Sequence, residues 1–149
     1  MDIKKINRKE VEKAKSLIAT IDLNMVKKKL MDVKTGNGWT QAYCDDIESL
    51  YREFLLMVYL FPKKAIVPTR EIDIFWHNHI LDTKAYAKDC KKVFSKFIHH
   101  YPYSGMLDED DANRQNDFFE ETKKIYFNLF GRIYGGIAMK CKVTQCLQP

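Results

Sequence analysis

The sequence predicts an all-α, single-domain bundle of about six helices, and three observations support this fold class. The chain of 149 residues has the length of one ordinary domain, and 46% of its residues are hydrophobic. Apolar residues recur at helical spacing in several segments, most of them preceded by a capping residue. Paired strands, which would show as neighbouring segments of alternating polarity, are not indicated.

The N-terminal part predicts two short helices. Asn7, with Glu10 three residues later, has the spacing of a capping box, and apolar residues follow at helical intervals. Asp22 is placed to cap the second helix, whose inward face has three apolar residues: Leu23, Val26 and Leu30. Residues 35–38 contain two glycines and an asparagine, which indicates a turn.

Thr40 is expected to cap the strongest helix, roughly residues 41–61, because apolar residues form a continuous stripe along one face. Pro62 ends this helix, since proline cannot continue it without losing a hydrogen bond. Residues 63–68 then form a connector. An extended stretch at residues 65–67 is compatible with the sequence, but one short apolar run does not predict a sheet.

The second half predicts three more helices. Thr69 caps one that runs through Leu81, and Asp82 or Thr83 caps the next. The inner face of this next helix comprises Tyr86, Cys90, Val93, Phe94 and Phe97. Four acidic residues at positions 108–111 begin the last helix, where the helix dipole favours negative charge, and Gly131 is placed to end it. Its inner stripe comprises Phe118, Thr122, Ile125, Tyr126 and Leu129.

We expect residues 1–136 to form the domain and residues 137–149 to be a mobile tail with little periodicity. Cys141 and Cys146 lie in this tail, five positions apart. With two histidines they would complete a Cys₂His₂ metal site, although a free cysteine pair fits this spacing better. Four scattered cysteines are typical of a protein from a reducing compartment.

The net charge of +5 is concentrated at the N-terminus, where residues 1–34 hold ten Lys/Arg against five Asp/Glu. Only one of these basic residues is arginine, and no aromatic residue lies between them to stack on bases. We therefore interpret the lysines as a solvated helix face and expect no nucleic-acid partner. The partner would be a protein or a small molecule of unknown identity.

The longest apolar run, residues 54–61, is too short for a membrane span, which needs about 20 residues. The N-terminus has no apolar segment followed by a cleavage site, so no signal peptide is predicted. We expect a soluble, cytoplasmic protein, with signal-less export as the alternative.

All four histidines lie between residues 77 and 100, and this stretch has most of the residue types that do chemistry. Successive residues of a helix are about 100° apart, so His77 and His79 point in roughly opposite directions. On this basis His79 faces inward, and His77 lies at the edge, one turn after Asp73. His100 would also face inward if its helix extended that far.

Two interpretations of this stretch remain open. In the functional one, a binding site lies between the two central helices, with Asp73, Trp76, His77 and Tyr86 as ligand-binding residues. His77, His79 and His100 would then be metal ligands, and zinc would be the natural ion. In the structural one, His79 and His100 are core histidines bonded to backbone or tyrosine hydroxyls, Trp76 is a core residue, and Asp73 and His77 form a surface pair.

Catalysis is not indicated by the sequence. Cys90 could be drawn with a histidine as a dyad, but it belongs to an inner stripe, where cysteine behaves as a small hydrophobic residue. No orienting acid, oxyanion-hole motif or phosphate-binding loop accompanies it. The sequence therefore favours a non-enzymatic binding or interaction domain, with a metal-binding protein or metal-dependent enzyme as the alternative.

Six sequence blocks resemble the glycine-rich domain-containing protein-like family. They are KLMD at 29–32, GW at 38–39, VPTREID at 67–73, FWHNHILDT at 75–83, YAKDC at 86–90 and FIHHYPY at 97–103. The resemblance covers about residues 20–136. This family comprises small bacterial proteins and the N-terminal parts of larger plant proteins, and we expect this chain to be of the bacterial kind. The resemblance implies a helical domain of uncharacterised function, and it carries over no catalytic residue and no cofactor.

Overall fold

The computed structural model describes residues 6–135, which form six helices and no strand. The helices are α1 (Arg8–Ala19), α2 (Asn24–Met31), α3 (Gln41–Leu60), α4 (Arg70–Leu81), α5 (Thr83–Phe94) and α6 (Glu109–Phe130). The predicted all-α bundle is therefore confirmed. The expected tail at residues 137–149, with Cys141 and Cys146, lies outside the described residues.

Three helices begin at the capping residues that the sequence predicted. The side chains of Asn7, Thr40 and Thr69 each accept a hydrogen bond from a backbone N–H in the first turn. Asp108, the first residue of the predicted acidic run, does the same for α6. The sequence predicts Asp22 as the cap of α2, but the capping position is occupied by Leu23. The Asp22 carboxylate still accepts a hydrogen bond from the N–H of Asn24, at 2.9 Å.

Helix α3 lies at the centre of the core and packs against α1, α2 and α4. Tyr43, Tyr51 and Phe54 on this helix are among the most deeply buried large side chains. Arg52 ties α3 to the end of α1, since its guanidinium donates hydrogen bonds to the carbonyl oxygens of Ile18 (2.7 Å) and Ile21 (2.9 Å). The Ile18 carbonyl belongs to the last turn of α1, and the Ile21 carbonyl lies just beyond it, so a side chain bonds backbone acceptors at this helix end. In the described residues, no helix combines the length and apolar character that crossing a membrane requires.

Helix α5 ends earlier than its apolar stripe predicted. Ser95 adopts a left-handed conformation with a φ of 61°, and this conformation terminates the helix after Phe94. Phe97 is consequently not on an inner helix face but in an irregular segment, with 45% of its surface exposed. His100 lies in the same irregular segment. Phe118 is likewise more exposed than predicted, at 37%, whereas Thr122, Ile125 and Tyr126 in the same stripe are buried.

The connector before α4 is held by side chains from the C-terminal part of the chain. The N–H of Val67 donates a hydrogen bond to the hydroxyl oxygen of Thr122 on α6, at 3.1 Å. The hydroxyl of Tyr134 donates to the carbonyl oxygen of Val67, at 2.9 Å. Both backbone polar groups of Val67 are therefore satisfied without a neighbouring strand.

Candidate metal centre

Three side chains converge at the surface between α4 and the segment that follows α5. Asp73 and His77 are one turn apart on α4 and therefore share a face. His100 approaches them from the irregular segment. The Nε2 atom of His100 lies 2.6 Å from Oδ1 of Asp73 and 3.1 Å from Nε2 of His77, and the His77 Nε2 lies 3.6 Å from Oδ2 of Asp73.

These distances are close to those of a metal coordination sphere. Zinc ligands lie about 2.0–2.1 Å from the ion in a tetrahedral arrangement, which places neighbouring donor atoms roughly 3.3 Å apart. One donor atom from each of the three residues falls within 4.8 Å of the others, so small side-chain adjustments would seat an ion between them. Two imidazoles and one carboxylate are a donor set found in zinc and non-haem iron sites, and three protein ligands leave a position open.

His100 is held in place by an aromatic residue and its hydrogen-bonding partner. Its ring lies edge-on to Trp76, with the ring centroids 4.4 Å apart. The indole N–H of Trp76 donates to the hydroxyl oxygen of Tyr86 (3.0 Å), and this hydroxyl donates to the carbonyl oxygen of Ile98 (2.5 Å). Trp76 and Tyr86 are both buried, so they support from the inside the segment that carries His100.

A cavity of about 540 Å³ adjoins the three converging residues, and both Asp73 and His100 line it. Its walls come from the connector, the first turns of α4, the irregular segment and α6, and they include Arg70 and Gln115. A second, larger hollow of about 800 Å³ lies on the other side of Trp76, between the ends of α3 and α5. The two cavities share Ile66, Trp76 and His99 as lining residues.

His79 lies outside this cluster, whereas the sequence suggested it as a metal ligand together with His77 and His100. The structure places Asp73 beside His77 and His100 instead. His79 is buried, and its Nδ1 lies 2.7 Å from the hydroxyl of Tyr51. Its Nε2 lies 2.8 Å from Oδ2 of Asp89. Both ring nitrogens are therefore bonded. A tyrosine hydroxyl is one of the partners that the structural interpretation named, whereas Asp89 is not.

Burial governs the titration of Tyr51 and His79. It lowers the pKa of His79, because the charged imidazolium is poorly solvated in the core, and the bond to Asp89 offsets only part of this effect. Burial also raises the pKa of Tyr51 well above its usual value. At neutral pH Tyr51 and His79 are consequently both uncharged.

Sequence reasoning missed Asp89 and Arg70. Asp89 is adjacent to the buried Cys90 on α5, and this position on the inner edge of the helix is the only signal that pointed to a core partner. Arg70 directly follows the capping residue of α4, where it reads as an ordinary exposed side chain. Its place in the cavity wall depends on the path of residues 99–104, which no periodic pattern specifies.

The fold and the cluster define a small all-helical domain with a two-histidine, one-carboxylate group at its surface. The chain belongs to the family described as UCP032817-like, whose model matches residues 13–121. It is also similar to Glycine-rich domain-containing protein 2 of Arabidopsis thaliana, with 26% identity over 102 residues. This match covers 62% of the chain but only 12% of the plant protein. No solved structure matches the chain.

These comparisons confirm the resemblance to a glycine-rich domain-containing protein-like family. Because the chain spans about one eighth of the plant relative, nothing follows from that protein as a whole. The expectation that the chain is of the bacterial kind stays a prediction, and so does its cytoplasmic location.

Proposed function

We propose that this domain binds a divalent transition-metal ion, with zinc as the first ion to test, through Asp73, His77 and His100. The observation that carries the proposal is the convergence of one carboxylate and two imidazole Nε2 atoms, each within 3.6 Å of another. The site is one form of the binding pocket that the sequence predicted between the two central helices.

The surroundings of the cluster favour a site that is organised before the ion arrives. His100 is held against Trp76, and its side chain is only 13% exposed. Asp73 and His77 project from consecutive turns of a single helix, so their relative positions are fixed by the backbone. In the ion-free protein, a hydrogen bond between the two Nε2 atoms requires one ring to donate and the other to accept. An ion would take the place of this proton, and the donating ring would then carry its proton on Nδ1.

The test is zinc content and zinc titration of protein prepared without a histidine tag. Elemental mass spectrometry gives the stoichiometry, and the fluorescence of Trp76 reports binding because its ring contacts His100. A Trp39→Phe background leaves Trp76 as the only tryptophan. We expect one ion per chain in this protein, and a loss of at least about tenfold in affinity in Asp73→Asn, His77→Ala and His100→Ala.

His99→Ala is the matched control, because this histidine is adjacent to His100 but is not part of the converging group. We expect it to bind zinc like the parent protein. Unchanged zinc binding in all three cluster variants would contradict the proposal, and so would an absence of zinc at micromolar concentrations in correctly folded protein. In either case the search would move to a partner of the cavity that needs no metal.

A further inference from the structure

We infer that the metal-loaded site takes an organic carboxylate, which would ligate the ion and pair with Arg70. This inference rests on the proposed metal site and names the class of ligand that the site would accept. Its basis is the cavity beside the cluster, together with the charge of the side chains that line it.

Among the described residues that line the cavity, only Asp73 and Arg70 carry a full charge. A divalent ion held by Asp73 and two neutral histidines would leave one positive charge on the centre. Arg70 adds a second, so the occupied cavity would carry about two positive charges with no acidic residue to balance them. An anionic ligand therefore fits it electrostatically.

Arg70 is free to serve this role. It is exposed, and no salt bridge to it is found among residues 6–135. It lies three positions before Asp73 on α4, so the two side chains project from the same side of the helix. A guanidinium presents its N–H groups as a planar fork, which matches the two oxygens of a carboxylate.

The remaining walls favour an apolar body attached to the charged group. Ile66, Val67, Pro68, Trp76 and Pro102 line the same cavity. The cavity volume of about 540 Å³ lies within the range of small-molecule sites. It is larger than the volume that a bare inorganic anion would occupy. Gln115 and Ser104 supply neutral polar groups at its edge. An aromatic or short aliphatic carboxylate uses all of these features.

The experiment compares benzoate with benzamide, its neutral isostere, by ligand-observed NMR on zinc-loaded protein. Zinc loading is first verified by elemental analysis, so a failure of the metal site is seen separately from a failure of carboxylate binding. We expect benzoate to bind the zinc-loaded protein, and benzamide and the metal-free protein to give no signal. Arg70→Gln should weaken the binding of benzoate by about tenfold or more, because it removes a charge-assisted bidentate pair.

Two further variants separate charge from geometry. Arg70→Lys keeps the positive charge without the planar fork. Its affinity for benzoate should lie between the affinities of the parent protein and of Arg70→Gln. Lys88→Gln removes a positive charge from the exposed face of α5, away from the cavity, and should have no effect. The inference is overturned if zinc loads but benzoate does not bind, if benzamide binds equally well, or if inorganic phosphate binds more tightly than benzoate. If the parent protein does not load zinc, both the metal site and the carboxylate ligand are overturned.

Discussion

His77 and His79 are two positions apart on α4, yet their surroundings are opposite. His79 is 2% exposed, and its two ring nitrogens are bonded to the hydroxyl of Tyr51 and the carboxylate of Asp89. The side chain of His77 is 47% exposed, and its Nε2 faces a second imidazole and a carboxylate. The chemistry of the two side chains is the same, so the difference lies in what the fold brings to each ring.

This comparison shows how to distinguish a structural histidine from a candidate ligand. Around His79, each nitrogen has a partner of its own, and these partners lie on different helices. Around His77, the Nε2 atoms of two rings and one carboxylate meet at the same point. The first arrangement links helices α3, α4 and α5, whereas the second leaves donor atoms that an ion could share.

The largest expected effect is that of His79→Ala on stability. The substitution leaves a cavity in the core and removes the partner of both Tyr51 and Asp89, so the free energy of unfolding should fall by about 3–4 kcal/mol. Urea denaturation of the metal-free protein measures this change. The matched variant His77→Ala should lower the free energy of unfolding by about 0.5 kcal/mol or less, because the hydrogen bonds that it removes are largely exposed. Similar losses in the two variants would show that His77 and His79 contribute alike to stability.

The next effect is stabilisation by the metal. Zinc at a hundred times its dissociation constant should raise the free energy of unfolding by about 2.7 kcal/mol, because the proposed site would exist only in the folded chain. The gain should disappear in His77→Ala and in His100→Ala. Thermal or urea unfolding with zinc and with a chelator makes the comparison. A gain that persists in both variants would place the ion elsewhere.

A smaller effect concerns pH. Because burial lowers the pKa of His79 below its ordinary 6.5, the folded chain binds a proton there less readily than the unfolded chain. The contribution of neutral His79 to the free energy of unfolding is therefore fully present above pH 6.5. It decreases as the pH falls towards the lowered pKa. The difference in unfolding free energy between the parent protein and His79→Gln should shrink from about pH 7.5 to about pH 5.5 in chelator. A constant or growing difference would show that the pKa is not lowered.

The smallest expected effect is that of His99→Ala, which tests whether an adjacent histidine contributes. This residue is exposed and lies outside the converging group, so stability should change by less than about 0.5 kcal/mol. Urea denaturation in chelator measures it alongside the other histidine variants. A loss comparable to that of His79→Ala would mean that the irregular segment, rather than the core pair, governs stability.

The helices were predictable because their signals are local. Asn7, Thr40, Thr69 and Asp108 act on backbone groups within three positions, so the sequence is sufficient to place them. The i, i+4 relation of Asp73 and His77 is equally local. The inward direction of His79 followed from the helical period alone.

The rest of the site could not be predicted, because it depends on the path of the chain between helices. His100 reaches Asp73 only because α5 stops at Phe94, where Ser95 turns left-handed, and serine does not signal such a turn. The bond between His79 and Asp89 depends on how α4 packs against α5. Neither relation leaves a periodic trace in the sequence.

The way Val67 is held has a consequence for the choice of expression boundaries. The family match ends at residue 121, one position before Thr122, and Tyr134 lies further on. A fragment cut at that edge would lose both hydroxyls that bond the backbone of Val67. It would keep Asp73, His77 and His100 but lose the support of the cavity wall next to them. Expression fragments of this domain should therefore extend at least to Gly135.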